Sequence, residues 1–330
     1  MLFVTNRTPK QSPRSRRNRN ISFDLDNTAV SQCLYFCERT RDCQYVEIMH
    51  DAFFQRLRDL ANPKADILLF IHGFNNTPEK NIFPNAMRLQ VLLEENCNDN
   101  PPYVVPLIWP CDDDSIVAIA DDYWDDQSAA DQSGTSFARM MGFFDEWRRR
   151  EAEEAALKHR SPCMRRINVL AHSMGNRVLR NALRKWVEEL GGGAMPLIFR
   201  NIFMAAPDVV NETLENDQEG KYIPQASRNV VVYYAADDLA MPASKVANLK
   251  NRVVSRRLGM TGPERMDAVP HNVYAVDCDN FNNQCDPPTG HGYFLDFPNG
   301  NPSPVLLHMA HALKHGRVEP AERRHVLYPS

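Results

Sequence analysis

The chain has no apolar stretch approaching the roughly 18 to 20 residues that a helix needs to cross a bilayer, so the run Ile67–Ile71 reads as a buried strand. Neither sign of charge dominates: 38 Lys and Arg stand against 42 Asp and Glu, a net charge of -4 that removes any global electrostatic case for nucleic acid as a partner. The cluster Arg14, Arg16, Arg17 and Arg19, flanked by Pro13 and Asn20, reads as a solvated loop. The eight cysteines include no C-x-x-C pair and no histidine at zinc-finger spacing, so they are expected to be reduced thiols in a cytoplasmic protein. There is no H-E-x-x-H set, and neither metal nor cofactor is expected. The start, Met1 to Arg7, lacks the basic region and long apolar core of a signal peptide and reads as a first strand. Internal repeats and low-complexity tracts are also missing.

What is present is a 330-residue chain with 43% hydrophobic residues, long enough for one large α/β domain spanning 1–330. Short apolar runs alternate with helical patterns, which predicts a mostly parallel sheet with helices on both faces. Strands are expected at 2–5, 32–37, 67–71, 103–108, 167–171, 198–205, 230–235 and 272–276. Thr77 as N-cap followed by Pro78 starts a helix, and Val178, Leu179, Ala182, Leu183, Trp186, Val187 and Leu190 form the stripe of another that ends at Gly191-Gly192-Gly193. Segments 7–30 and 211–228 read as loops. The aspartate-rich stretch 111–134, leading into a helix over 137–157, follows the fourth main strand, where ligands meet sheets of this kind; 111–160 is therefore a candidate lid or insertion.

The most informative segment is Ala171-His172-Ser173-Met174-Gly175, set between an apolar strand and an amphipathic helix. A serine on such a tight turn stands clear of the backbone, and the helix behind it directs free N–H groups at developing negative charge. Ala171 departs mildly from the Gly-x-Ser-x-Gly pattern. In sheets of this type the partners follow in the order serine, acid, histidine. His291, in Gly290-His291-Gly292 beyond the last main strand, is the expected base. His271 precedes its strand, while His308, His311 and His315 lie on a C-terminal amphipathic pattern. The acid is Asp238, Asp237 or Asp208, each lying beyond a strand end. Oxyanion donors are expected at the Met174 N–H and, from the loop His72-Gly73-Phe74, at the Phe74 N–H. His72 and His172 read as structural. Trp109, Tyr123 and Trp124, with Phe83, are candidate substrate walls.

These motifs resemble a bacterial family of α/β-hydrolase proteins long known only as a domain of unknown function. The likeness rests on Val4-Thr5-Asn6-Arg7, His72-Gly73-Phe74-Asn75-Asn76, Trp109-Pro110, Ala171 to Asn176, Ala205-Ala206-Pro207-Asp208, the stretch Tyr234 to Met241, and Gly290 to Phe294, in order along nearly the whole chain. The resemblance implies an α/β-hydrolase fold, Ser173 as nucleophile and Asp238 as the acid. Two departures lie near the expected pocket: the aspartate-rich stretch after Pro110, and Gly292 where serine is common. The expected activity is hydrolysis of a small-molecule carboxylic ester through an acyl-enzyme. Lipase, thioesterase or acyltransferase chemistry on the same triad, or a binding module that retains the fold, are the alternatives. The sequence leaves the oligomeric state open.

Overall fold

The computed structural model describes all residues except 26–27, 98–99, 112–118, 191–192, 241–255 and 330, with 119–125 and 190 described as backbone alone. Among the described residues an eleven-stranded sheet runs in the order β11-β10-β9-β8-β7-β5-β6-β1-β3-β4-β2. Its strands are β1 Leu2–Arg7, β2 Arg19–Ile21, β3 Val30–Arg41, β4 Gln44–Glu47, β5 Ile67–Ile71, β6 Tyr103–Ile108, β7 Ile167–His172, β8 Phe199–Ala205, β9 Ser227–Tyr234, β10 Val273–Asp277 and β11 Arg324–Val326. From β1 to β11 across the centre every pairing is parallel, while β3, β4 and β2 close one side antiparallel. The central runs, such as Ile-Leu-Leu-Phe-Ile in β5, are apolar throughout because both faces are covered.

The eight expected strands are all present. The segment 7–30 is not wholly a loop, because Arg19–Ile21 pairs with β4 and Arg19 Nε meets Glu47 Oε2 at 2.6 Å. β2, β4 and β11 are too short and too polar to carry an apolar run of their own. Within 211–228 a short helix forms at Tyr222–Ala226 before β9 begins. Thr77 provides no side-chain cap; its carbonyl instead accepts from Asn81 and Ile82 N–H, opening a wide turn, Pro78–Ile82, ahead of α2 (Phe83–Asn96).

One face of the sheet is covered by α1 (Met49–Arg58), α3 (Ile119–Leu157) and α4 (Gly175–Lys185). The other is covered by α2 and the C-terminal helix Pro304–His315, which Ser303 caps by accepting from the Leu306 N–H at 3.1 Å. α4 buries Val178, Leu179, Ala182 and Leu183, and each large aliphatic among them contributes on the order of 1.5–3 kcal/mol. α3 begins well before the helix expected at 137, so residues 119–134 of the aspartate-rich stretch are helical, while 112–118 lie outside the described residues. α3 lies close against α4: a Cβ on Gly134 would come within 2.6 Å of Asn181 Cβ, and Arg177 grips Asp131 with Nε and Nη2, each at 2.6 Å.

A buried ladder of asparagines fixes the register of the three strands that feed the site. Asn201 Nδ2 donates to Asn168 Oδ1 and Asn229 Nδ2 to Asn201 Oδ1, both at 2.8 Å, across β7, β8 and β9. Slipping any one strand by a residue would turn a buried amide away from its partner, at a cost of about 1–3 kcal/mol per orphaned group.

Candidate active site

Ser173 sits on the turn between β7 and α4 with φ at 52°, a left-handed conformation uncommon for a residue with a Cβ. The turn is held from several sides. Ser173 N–H donates to the Ala205 carbonyl at 2.9 Å, and the Ser173 carbonyl accepts from the Asn176 and Asp208 N–H groups at 3.1 and 3.2 Å. The wholly buried Asn176 adds a brace, its Nδ2 donating to the carbonyls of Ala171 at 2.9 Å and Ser173 at 3.0 Å. Gly175 is required by space: a Cβ there would stand 2.6 Å from the carbonyl oxygens of both Ile71 and His72. Ala171 is fully buried, so its extra methyl is accommodated in the core.

His291 and Asp238 are joined by a hydrogen bond of 2.6 Å between Nδ1 and Oδ2. Asp238 is 1% exposed, and its other oxygen accepts from the Ala240 N–H at 2.9 Å, so both oxygens are committed. Asp237, one residue earlier, turns outward to the amides of Asn282 and Asn283. Asp208 is buried beside Ser173 but pairs with Arg257 Nε at 3.3 Å. Of the three carboxylates named from the sequence, only Asp238 bonds to the imidazole. Burial disfavours a charged His291, but the Asp238 hydrogen bond and charge, reinforced by Asp208 and Asp286, outweigh it and raise its pKa above the ordinary value.

The histidine loop packs onto the residue beside the serine. His172 Nε2 donates to the His291 carbonyl at 3.2 Å, and the two rings lie 4.7 Å apart. Ser173 Oγ has no hydrogen-bond partner among the described residues. Asp286, which sequence reasoning missed, fixes the loop from behind. Its Oδ2 accepts from the N–H groups of His291 at 3.0 Å and Gly292 at 2.8 Å and from Thr289 Oγ1 at 2.6 Å. Burial pushes its pKa up, yet these donors together with His291 bring it below the usual carboxylate range. No spacing rule would have found it, since its partners are mostly backbone. Gly290, with φ at 64°, has its Cα against Asn282 and Asn283, where a side chain would collide.

The loop after β5 is clamped by His72. Its Nδ1 donates to the Gly73 carbonyl at 2.8 Å, its Nε2 accepts from the Trp109 N–H at 3.2 Å, and its carbonyl accepts from Trp109 Nε1 at 2.9 Å. The two rings stack 2° from parallel. Burial lowers His72 to about 3 and His172 to about 3, so both rings are neutral across the physiological range. Gly73 lies against Ser173, with its absent Cβ position 3.0 Å from the serine Cβ, which brings the Phe74 loop beside the elbow. Met174, at the start of α4, is fully buried.

The candidate substrate walls need correction. Trp109 is fully buried and spent on bracing His72, and Phe83 lies under the opposite face of the sheet against Phe3 and Tyr45. The side chains of Tyr123 and Trp124 lie outside the described residues. His308 is structural, accepting or donating at 2.7 Å to the buried Tyr233 hydroxyl. Among the described residues no group of three or more His, Cys, Asp or Glu side chains could hold a metal ion. All eight cysteines are free, and among the described residues no helix is long and apolar enough to cross a membrane.

A mostly parallel sheet with Ser173 on the turn after β7, Asp238 in the loop after β9 and His291 in the loop after β10 has the architecture of an α/β hydrolase. Over residues 50–303 the chain matches, and belongs to, the family described as "Alpha/beta hydrolase of unknown function (DUF900)". No curated protein matches the sequence. Among solved structures it is similar to phospholipase PlaB from Legionella pneumophila, at 12% identity over 69% of this chain and 42% of that one, with a TM-score of 0.27. The same phospholipase in complex with thio-NAD gives 13% identity over 65% of this chain and 38% of that one, with a TM-score of 0.24. The chain thus spans about two fifths of that protein's length.

Proposed function

We propose that the protein is a serine hydrolase that cleaves a small-molecule carboxylic ester through an acyl-enzyme. The observation that carries this reading is the 2.6 Å bond from buried Asp238 to His291, on a loop packed against the neighbour of a left-handed Ser173. Asp238 accepts from Nδ1–H, which leaves Nε2 of the neutral ring as the base. Ser173 Oγ attacks the ester carbonyl carbon while its proton passes to His291 Nε2. The carbonyl oxygen becomes an oxyanion held by the Met174 and Phe74 N–H groups. Collapse of this intermediate breaks the bond to the alcohol oxygen, which takes the proton from His291. Water then gives a proton to His291 and adds to the acyl carbon, releasing the carboxylic acid and restoring the Ser173 hydroxyl.

The test is hydrolysis of p-nitrophenyl butyrate by the purified chain and its Ser173→Ala variant, with circular dichroism to establish that the variant folds. Loss of kcat by at least about 10⁴-fold, with labelling of Ser173 in the unsubstituted protein by a fluorophosphonate, is the expected result. Hydrolysis by the folded variant within tenfold of the original rejects the reading. An unlabelled, inactive Ser173 in the original protein favours a binding module that keeps the hydrolase fold.

A further inference from the structure

Between the sheet and helices α1, α3 and α4 lies a cavity of about 170 Å³ that the chemistry above does not use. Its walls are almost wholly apolar, with Phe53 and Phe54 from α1, Met141 and Trp147 from α3, and Leu179 and Trp186 from α4 and the turn that continues it. Ile67, Leu69 and Ile71 line it along one face of β5, so its depth is four strand steps, roughly 13 Å. None of its lining residues is Ser173, His291, Asp238, Phe74 or Met174.

The cavity reaches the surface at the opposite end of the sheet from the serine. Exposed Arg148, Pro196 and Leu197 line it there, with Arg165 and Cys163 just ahead of β7. Ser173 lies beyond the other end of that strand, six residues from Ile167 and so roughly 20 Å away. A cleft of about 320 Å³ adjoins this mouth and shares Arg148, Arg165 and Leu197 with it. Arginines 148, 165, 166, 200 and 228 line the cleft and, among the described residues, no carboxylate does. Arg165 is anchored by donating to the carbonyls of Arg58, Leu60, Asn62 and Ala65. Arg200 turns away from the cavity, its guanidinium lying against Gly316 at the end of the C-terminal helix, so Arg148 and exposed Arg228 are the cations left to face the mouth. The carboxylate on the cavity rim, Asp145, is paired with Arg149 at 2.9 Å.

An apolar slot that opens beside guanidinium groups matches a molecule with one hydrocarbon tail and one anionic head. The geometry points to a second ligand site, distinct from the serine site, that takes a medium-chain fatty acid with its tail in the cavity and its carboxylate between Arg148 and Arg228. An apolar cavity of about 150 Å³ accepts a benzene ring, so the volume here suits a tail of about seven carbons, that of octanoate beyond its carboxylate. The methionine and aromatic walls adjust to a flexible tail, and an arginine fork suits a carboxylate.

The test uses the purified full chain and 8-bromooctanoate, whose bromine quenches nearby tryptophan. Saturable quenching is expected, with the Trp147→Phe/Trp186→Phe variant losing most of it. By calorimetry octanoate should bind at least tenfold more tightly than octyltrimethylammonium. The exposed-rim variant Arg148→Glu/Arg228→Glu should weaken octanoate at least tenfold while leaving ester hydrolysis unchanged, and Ser173→Ala should bind octanoate as the unsubstituted protein does. Absence of octanoate binding overturns the proposal, as does quenching that survives in the double tryptophan variant or equal affinity for the cationic amphiphile. Octanoate binding lost in Ser173→Ala would assign the ligand to the serine site instead. Failure of ester hydrolysis alone rejects the triad reading and leaves this site standing.

Discussion

His291 Nδ1 and Asp238 Oδ2 stand 2.6 Å apart, while Asp237, the adjacent carboxylate, faces outward to Asn282 and Asn283. Replacing Asp238 by asparagine keeps the volume but removes the charge and the tautomer preference. Its kcat on p-nitrophenyl butyrate should fall about 10⁴-fold, as for other triads that lose this group. Asp237→Asn should stay within about threefold, because its exposed hydrogen bonds contribute modestly. Steady-state kinetics on the two variants checks the contrast.

The pH profile should report His291. The base must be neutral, and its pKa is raised above 6.5, so kcat/KM should rise with pH through that elevated value and then level off. Asp286 is one of the charges holding it up, so Asp286→Asn should move the rising limb to lower pH. A limb unmoved by that substitution would remove Asp286 from the electrostatics of the loop.

Stability should also fall in acid, through three other histidines. Burial holds His72 and His172 at about 3 and His308 at about 4, whereas all three return to about 6.5 on unfolding. Between those values the unfolded chain binds more protons, so stability falls as pH drops below about 6.5, by about 1.4 kcal/mol per pH unit for each histidine. His291, with its raised folded pKa, has the reverse sign: its contribution is complete below about 6.5 and is lost as pH rises through the folded value. Urea midpoints measured from pH 7 to pH 5 should therefore decline, and His308→Asn should reduce the slope by about a third.

Two glycines beside the site should differ sharply. Gly175→Ala forces a methyl against two backbone carbonyls and should cost about 1–3 kcal/mol. At Gly292 a Cβ would meet Asp286 only at 3.4 Å, so Gly292→Ser should fall within about 0.5 kcal/mol. Thermal denaturation of the two variants decides it.

The serine turn was legible because its signal is local: an apolar strand, a small-residue turn and a helical stripe are adjacent in the chain. The histidine was legible for the same reason, between two glycines beyond a strand. The acid required three dimensions, since Asp237 and Asp238 differ by one peptide unit and only the turn after β9 decides which enters. Trp109 misled because an aromatic after a strand end suits a pocket wall as well as a brace; the His72 stack decides for the brace. Asp286 and the Asn168–Asn201–Asn229 ladder act through backbone or through strands distant in sequence, which leave no periodic trace. The short strands β2, β4 and β11 follow from pairing with a formed sheet, not from their own composition.

Those short strands have a consequence for the molecule among its neighbours. Among the described residues, both sides of the eleven-stranded sheet finish in strands of three residues, Arg19–Ile21 and Arg324–Val326. A ladder that brief offers an incoming peptide few backbone bonds, and the arginine at the head of each places charge where a recruited strand would have to lie. The broad hydrogen-bonded platform that sets Ser173, Asp238 and His291 in order thus ends at both sides without a template for continuing it into another chain.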